Sequence, residues 1–499
     1  MIKALDTFID RITMYRLMVY YLIAILVSAV GLSLFGVITY AAPEIVLSAA
    51  LLVGVSWLSE KLFHWLFKSP ANTESSLITA LILALLIRPE LSGENLLFLA
   101  VAAFLAVASK YVLTTQHTHV FNPAAIAVVL TSIFAHQSAS WWVGTTWLAP
   151  VVIVGGLMVA RKIRHVQMVF AFLLTAIMVT TVMASMAGSD VPATLERIIL
   201  HSSLLFLGFA MLTEPLTAPA RHRQQLIFAV LVGVLFSPKF HLGSFYASPE
   251  MALILGNLFA YVVTPRYRRI LSLKEKVQTG PQTAEYIFSL KTPIEYKPGQ
   301  YMEFTMPVNK SDNRGNRRTF TIASSPTEDT LRIGVKFYPK GSTFKKALFK
   351  MEDGKQLAVA QLAGDFTMPT DTSKKLAFIA GGIGVTPFRS MIKYITDTSE
   401  KRDIHVLYAE NTPESFVYKD ILEASDAVVT YVSAEAPQFW KGETGHISAD
   451  LIKKHVPDFT QRLFYVSGPH PMVQATVGAL HDIGVHARNI KTDHFSGYA

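Results

Sequence analysis

The sequence predicts a multi-domain fold. An all-α membrane bundle of about ten helices, arranged as inverted five-helix repeats (residues 1–268), precedes a small antiparallel β-barrel (269–371) and an α/β parallel-sheet domain (372–499). Three observations predict it. Charge breaks sharply along the 499 residues: 1–265 hold 14 Lys/Arg and 11 Asp/Glu, whereas 266–499 hold 31 and 25. The first half matches itself at an offset of 126 residues. The second half changes from closely spaced short strands to strand–helix alternation near residue 374. A mean hydropathy of +0.36, with 51% hydrophobic and 16% charged residues, excludes an ordinary soluble protein.

Apolar segments lie near 18–40, 45–58, 75–87, 95–109, 123–135, 147–160, 167–187, 200–213, 225–236 and 250–264. Several fall short of the roughly 20 residues that a full span needs. The first lacks a cleavage-site pattern and is expected to stay as an anchor. With the N-terminus inside, the inner loops collect Lys3, Arg11, Arg16, Lys61, Lys68, Lys110, Arg161, Lys162, Arg164, Arg221 and Arg223. The outer ends carry Arg88, Arg197 and Lys239. This asymmetry predicts a multi-pass protein of the cytoplasmic membrane with both termini in the cytoplasm.

The internal match sets Pro89 on Pro215 and Pro123 on Pro249. Five helices per copy, an odd number, turn the second copy upside down, an arrangement that builds sites near the bilayer midplane. Asn122-Pro123 and Ser248-Pro249 read as N-caps with proline at the first helical position. The N–H groups of such a helix start suit an anion or a polar ring carbonyl, although simple capping explains them as well. Arg88 and Glu214 occupy equivalent positions before helix-ending prolines, and charge there is a candidate for function.

The absence of cysteine removes disulfides, thiolate catalysis and Cys-ligated clusters. Most histidines of the first half (His64, His117, His119, His136, His165, His222, His241) fall in loops or helix ends, and only His201 lies near a helix body. Facing His pairs for haem are therefore not expected, and no metal site is predicted. The net charge of +9 has no basic run, so nucleic acid is not an expected partner.

The stretches SSLITALILALLIRP, FNPAAIAVV and LGFAMLTEPLTAP give residues 20–265 a resemblance. This half resembles the membrane subunit family shared by the sodium-translocating NADH:quinone oxidoreductase (its B subunit) and the Rnf complex (its D subunit). Those subunits carry FMN on a threonine in an S-G-A-T stretch of an outer loop. Here the nearest text is Gly144-Thr145-Thr146, without the serine or the upstream acid. Thr145 and Thr146 are thus the candidates for a covalent flavin, and an interfacial aromatic belt is the alternative reading of WWVGTTW.

In the second half, RRTFTIASSP ends a strand and places Arg318 where it can pair with a pyrophosphate and Thr321 where it can face a flat ring. KGSTFKKAL opens a helix with Gly341, Ser342 and Thr343, suited to phosphate oxygens. FIAGGIGVTPFRSM is a strand, a glycine turn (Gly381, Gly382, Gly384) and a helix, which lets a dinucleotide approach the backbone. In this order the three resemble the ferredoxin–NADP reductase superfamily over roughly 275–499. The resemblance implies that Arg318, Phe320 and Thr321 hold FAD, with Gly341, Ser342 and Thr343 on its phosphate side. Gly382, Gly384, Thr386 and Pro387 would take the nicotinamide dinucleotide. SGPHPM stands for the family's C-G-P-x-P-M, so Ser467 replaces a cysteine beside Gly468 and Pro469. Phe495 is the candidate aromatic on the flavin. The segment after HVLYAE is ENTPES, without the Arg or Lys that a 2′-phosphate wants, which favours NADH over NADPH.

The expected activity is an NAD(P)H dehydrogenase: hydride from the dinucleotide to FAD, then electrons to quinone or to a second flavin (FMN or riboflavin) in the membrane half. A redox-driven or redox-sensing transporter, and electron transfer to an extracytoplasmic acceptor, are the rival readings.

Overall fold

The computed structural model describes residues 12–67, 73–115, 118–237, 241–242, 245–246, 248–264, 269–308, 312, 316–339 and 341–495. Lys3, Arg11, Lys68, His117 and Lys239, used above for topology and haem, lie outside the described residues, as does the side chain of Phe495. The chain divides into two compact units, Met1–Arg266 and Tyr267–Ala499.

The first unit is helical. Its elements are α1 (Met14–Leu34), α2 (Ala42–Phe67), α3 (Thr73–Leu86), α4 (Gly93–Val112), α5 (Pro123–Ala135), α6 (Ala149–Lys162), α7 (Val166–Met186), α8 (Val191–Leu200), α9 (Leu204–Met211), α10 (His222–Leu235) and α11 (Pro249–Val263). All ten apolar segments fall on helices. Among the described residues, α1, α2, α4 and α7 are long and apolar enough to cross a membrane; α8 and α9, bent by 50° at His201–Ser203, add a fifth if taken as one span. The others are shorter. α9 runs through a π-helical turn, Leu207–Met211, whose carbonyl register shift widens the helix.

The two sequence-matched halves make a similar set of helix contacts. α2 packs on α3 and α4, and α7 packs on α9 and α10 in the same way; α4 meets α5 as α10 meets α11. The copies touch through like elements, α1 with α6 and α5 with α11. A two-strand hairpin precedes each fifth helix: β1 (Thr114–Thr115) with β2 (Thr118–His119), and β3 (His241–Leu242) with β4 (Phe245–Tyr246). Both proline-started helices are capped as read from sequence, Asn122 Oδ1 accepting from Ala125 N at 3.0 Å and Ser248 Oγ from Met251 N at 3.2 Å. Close approach is bought with glycine: a Cβ on Gly156 of α6 would lie 2.4 Å from Phe209 of α9.

The second unit holds two sheets. The first contains β5 (Arg269–Gly280), β6 (Thr283–Ser289), β7 (Tyr301–Thr305), β8 (Arg317–Thr321), β9 (Thr330–Lys336) and, after α12 (Thr343–Phe349), β10 (Gln356–Ala363). It is antiparallel throughout, in the order β8-β7-β10-β5-β6-β9. Just past β8 the Ala323 N–H donates to Arg332 O of β9 at 2.8 Å, so the two edges approach there. Tyr286, Phe288, Phe304 and Phe344 fill its core.

The second sheet is parallel, in the order β14-β13-β12-β11-β15-β16. Its parts are β11 (Leu376–Gly381), α13 (Thr386–Thr398), β12 (Ile404–Glu410), α14 (Lys419–Glu423), β13 (Val428–Ser433), β14 (Glu443–Thr444), α15 (Ala449–His455), β15 (Leu463–Pro469), α16 (His470–Asp482) and β16 (Ile490–Phe495). β11 is buried at every position, as a central parallel strand covered on both faces must be. The chain moves outward from β11 to β14, then returns to β11's other side with β15. The crevice outside the carboxyl ends of β11 and β15 is therefore the topological switch point.

Candidate functional site

The switch-point crevice brings together residues far apart in sequence. β11 ends at Gly381, a 3-10 turn covers Gly382–Val385, and α13 starts with Thr386-Pro387. Gly382 sits at φ +59°, a left-handed conformation that favours glycine. A Cβ on Gly384 would lie 2.4 Å from Ser467 O and 2.6 Å from Gly468 Cα, so this turn rests directly on the end of β15. Ala380 pairs with Ser467 across the two strands, and Pro469 pairs with Phe495 on β16. Gly381, Gly382, Gly384, Thr386, Ser467, Gly468 and Pro469 thus converge, with the Phe495 backbone beside them. The Ser467 hydroxyl is buried and makes no hydrogen bond among the described residues, which fits a position kept for a ligand.

On the antiparallel sheet, Arg318 is 9% exposed. Its guanidinium stands 5.4 Å over the Phe344 ring, and Nη1 donates to Arg317 O at 2.5 Å. Strand alternation puts Phe320 on the same face, where it meets Phe304 (5.6 Å) and Phe344 (5.8 Å). Phe320 is therefore a core contact as well as a candidate flavin contact. Thr321 is buried at the end of β8. Ser342 caps α12, its Oγ accepting from Lys345 N at 3.3 Å. The Thr343 N–H, assigned from sequence to a phosphate, donates to Asp312 Oδ2 at 2.9 Å, so a carboxylate of the chain holds that donor.

Two ion pairs that link the sheets escaped the sequence reading. Lys336 Nζ of β9 lies 3.0 Å from Glu410 Oε2 of β12, with side-chain exposures of 15% and 3%. Both groups lie within about 4 Å of the point a Cβ on Gly382 would occupy, so the pair borders the glycine turn. Burial pushes the Glu410 carboxyl above its usual range, and the Lys336 charge offsets part of that. Arg389 of α13 donates to Glu328 through Nη1 (2.5 Å) and Nη2 (3.1 Å), and to Ala323 O at 2.9 Å. Burial opposes charge on Glu328, but the Arg389 bonds win and hold it below the usual carboxylate range. Ser390 Oγ adds a bond to Ser324 O at 2.6 Å.

Lys336→Met strands a buried carboxylate, a change that costs about 3–5 kcal/mol in the ionised form. Glu410 then escapes by taking a proton, so its folded pKa rises further above the unfolded value. The variant's stability is kept below the unfolded pKa and lost as pH rises through the folded one. Chemical unfolding is expected to show a larger deficit at pH 8 than at pH 5, and the Lys336→Met/Glu410→Gln double variant is expected to recover most of it.

The helical unit holds a second cluster. Glu214, between α9 and α10, is reached by His119 Nε2 (3.0 Å to Oε1), Asn122 Nδ2 (2.9 Å to Oε2) and Thr217 Oγ1 (3.2 Å to Oε2). Asn257 of α11 accepts from Asn122 N at 2.8 Å and donates to Thr217 O at 3.2 Å, tying the two repeats together. Glu214 and Asn122 line a pocket with about 570 Å³ of empty volume, part of it open, whose apolar wall includes Met14, Met18, Ile78 and Val159. The sequence candidates separate here. Asn122 and Glu214 come together at the pocket; Arg88 is exposed and pairs with Glu90 at 3.8 Å. Thr145 Oγ1 caps Leu148 N at 3.4 Å, and exposed Thr146 meets His201 Nε2 at 3.3 Å. At the pole of the second repeat, the equivalent helix start is closed by a buried bond from Trp141 Nε1 to Glu250 Oε1 (2.6 Å). Among the described residues, no group of three or more His, Asp or Glu is placed to hold a metal ion.

Comparison with known proteins agrees with this geometry. Residues 270–367 match the oxidoreductase FAD-binding domain family, and 378–478 match the oxidoreductase NAD-binding domain family. Residues 142–269 match the NQR2, RnfD, RnfE family. The glycine betaine monooxygenase reductase subunit of Chromohalobacter salexigens is 26% identical over 209 residues, 40% of this chain and 56% of that protein. NADH-cytochrome b5 reductase 1 of Mortierella alpina is 29% identical over 231 residues, 44% of this chain and 76% of that protein. The chain thus spans little more than half of the first relative. The cytochrome b5 reductase domain of Ulva prolifera nitrate reductase superposes with a TM-score of 0.41 at 22% identity, covering 46% of this chain and 97% of that one.

Fold and crevice together define a flavin- and nicotinamide-dependent oxidoreductase module, with FAD and a nicotinamide dinucleotide as its cofactors. The chain joins a match to the NQR2, RnfD, RnfE family over residues 142–269 to a ferredoxin–NADP reductase-like FAD- and NAD-binding module.

Proposed function

We propose that this chain is a membrane-integral NADH dehydrogenase that passes electrons from FAD to quinone. The observation that carries the reading is the presence, in one polypeptide, of an NAD-binding-family crevice and of a largely apolar pocket bordered by Glu214 and Asn122, in a helical unit whose residues 142–269 match the NQR2, RnfD, RnfE family. Bound FAD would accept a hydride from NADH and give up the two electrons onward. Arg318 would hold its pyrophosphate, and Thr321 and Ser467 would frame the ring and the nicotinamide. Gly382 and Gly384 would let the dinucleotide settle against the end of β11. The acidic and neutral ENTPES segment after β12 supports NADH over NADPH.

The ten apolar helices are assigned as spans of the cytoplasmic membrane, with inverted repeats and both termini inside. The loop-charge asymmetry and the repeat-like packing support this. Protein purified intact is expected to release one FAD on denaturation and, in proteoliposomes, to oxidise NADH with ubiquinone-1 at a rate indifferent to sodium. A second flavin would point to a relay. Dependence on sodium, or charge build-up during turnover, would instead favour the transporter reading, and reduction of an impermeant outside acceptor would favour outward electron transfer.

A further inference from the structure

Reducing a quinone in a protein pocket demands protons as well as electrons. NADH and one proton convert quinone to hydroquinone: two electrons enter the ring, both C=O groups become C–O–H, and NAD⁺ leaves. NADH arrives at the soluble module, so both new O–H protons must be delivered locally. The pocket of the helical unit has a wall suited to that task. Glu214 faces it with both carboxylate oxygens engaged, one by the His119 imidazole at 3.0 Å and one by Asn122 at 2.9 Å. His119 is 7% exposed and Asn122 2%, while the Glu214 side chain is 22% exposed, so its two partners are buried and the carboxylate stays accessible.

Ser75 lines the same pocket and accepts from Lys110 Nζ through its carbonyl (2.9 Å) and its hydroxyl (3.0 Å). Lys110 lies within electrostatic reach of both Glu214 and Glu60, and Glu60 accepts from Ser76 (2.6 Å) and Tyr111 (2.9 Å). Lys110 on α4 and His119 on the β1–β2 hairpin are thus each bonded to a residue that lines the cavity, Ser75 and Glu214. A buried ion pair is a poor device for stability alone, because desolvation cancels much of its attraction.

Resting on the quinone reading above, we propose that the His119–Glu214 pair is the proton donor to the quinone reduced in this pocket. The proton held between Nε2 and Oε1 passes to a quinone oxygen as the ring takes up electrons. Asn122 fixes the other carboxylate oxygen, so the donor does not rotate away. Ser75, which holds Lys110 Nζ, lines the same cavity, and the second proton enters from water at the cavity's open side.

The test uses the full chain in liposomes, with ubiquinone-1 as the two-proton acceptor and ferricyanide as an acceptor that needs no proton. Glu214→Gln keeps the size of the side chain and removes the acid. It is expected to lower kcat with ubiquinone-1 by roughly a hundredfold, the scale of a lost general acid, with KM for quinone little changed. Ferricyanide reduction, which ends in the soluble module, should persist. Heavy water should slow the native quinone reaction, and Glu214→Asp should restore part of the loss. In infrared difference spectra of quinone binding, a carboxyl band is expected in the native chain and not in Glu214→Gln. His119→Gln should reproduce the split between acceptors, which keeps the idea testable if Glu214→Gln does not fold. Unchanged quinone turnover, an equal loss with both acceptors, or lost quinone affinity at normal kcat would overturn the proton-donor role alone. A native chain that oxidises NADH with ferricyanide but never reduces ubiquinone-1 would overturn the quinone reading and this role with it.

Discussion

Arg318→Ala is expected to purify with little or no FAD and to lose nearly all NADH oxidation. The side chain is almost wholly buried against Phe344, and strand β8 fixes its direction. A guanidinium there can grip two phosphate oxygens at once, the geometry that makes arginine pairs strong. Removing one partner of such a desolvated pair typically costs about 2–5 kcal/mol. At 1.4 kcal/mol per decade, this is roughly a 30- to 4,000-fold loss of flavin affinity. Flavin absorbance per polypeptide after gel filtration measures it directly. The neighbour supplies the control. Arg317 lies on the other face of the strand and pairs with Glu303 at 3.3 Å. Arg317→Ala should keep its flavin, because a partly exposed pair contributes about 0–1 kcal/mol. If both variants stay yellow, FAD is held by something other than the β8 arginine.

The second large effect is expected at Gly384. An added methyl would meet the Ser467 carbonyl oxygen at 2.4 Å and Gly468 Cα at 2.6 Å, both backbone atoms that cannot swing aside. Gly384→Ala must therefore push the glycine turn off the end of β15. Overpacking of this kind costs typically about 1–3 kcal/mol, and a clash with backbone belongs at or above the upper end. The melting temperature of the soluble unit should fall and KM for NADH should rise, while flavin content stays near normal. Gly478→Ala is the matched control. It lies within α16 with nothing within 4 Å of the added methyl, so alanine should stabilise by up to about 1 kcal/mol. A Gly384→Ala variant that binds NADH normally would show that the turn does not carry the dinucleotide.

The parts legible in the sequence are those written in local pattern. Unbroken burial along LAFIAG, followed at once by GIGVTP, marks a central parallel strand feeding a helix, and β11, its turn and α13 fall there. Asn122-Pro123 and Ser248-Pro249 mark helix starts that the structure caps as expected. What local pattern does not carry is pairing across distance. Lys336 and Glu410 stand 74 residues apart, and Arg389 and Glu328 stand 61 apart; each is an ordinary charged residue until two sheets bring it to its partner. Span count suffers from a different ambiguity. Helices of 13 to 15 residues such as α5, α10 and α11 are equally apolar whether they cross a bilayer or stop within it. Phe320 illustrates a third: its position implies a cofactor contact, while its ring spends much of its surface on Phe304 and Phe344.

The two halves of the helical unit match each other in sequence, yet their poles have parted company. Where one copy has Arg88 at the surface, the other has Glu214 drawn inward; where Asn122 opens onto a cavity, Ser248 stands beside a tryptophan plug on Glu250. The pole proposed to carry chemistry opens onto a cavity while its counterpart is closed, and a designer seeking room for a new cofactor should begin by pulling that plug.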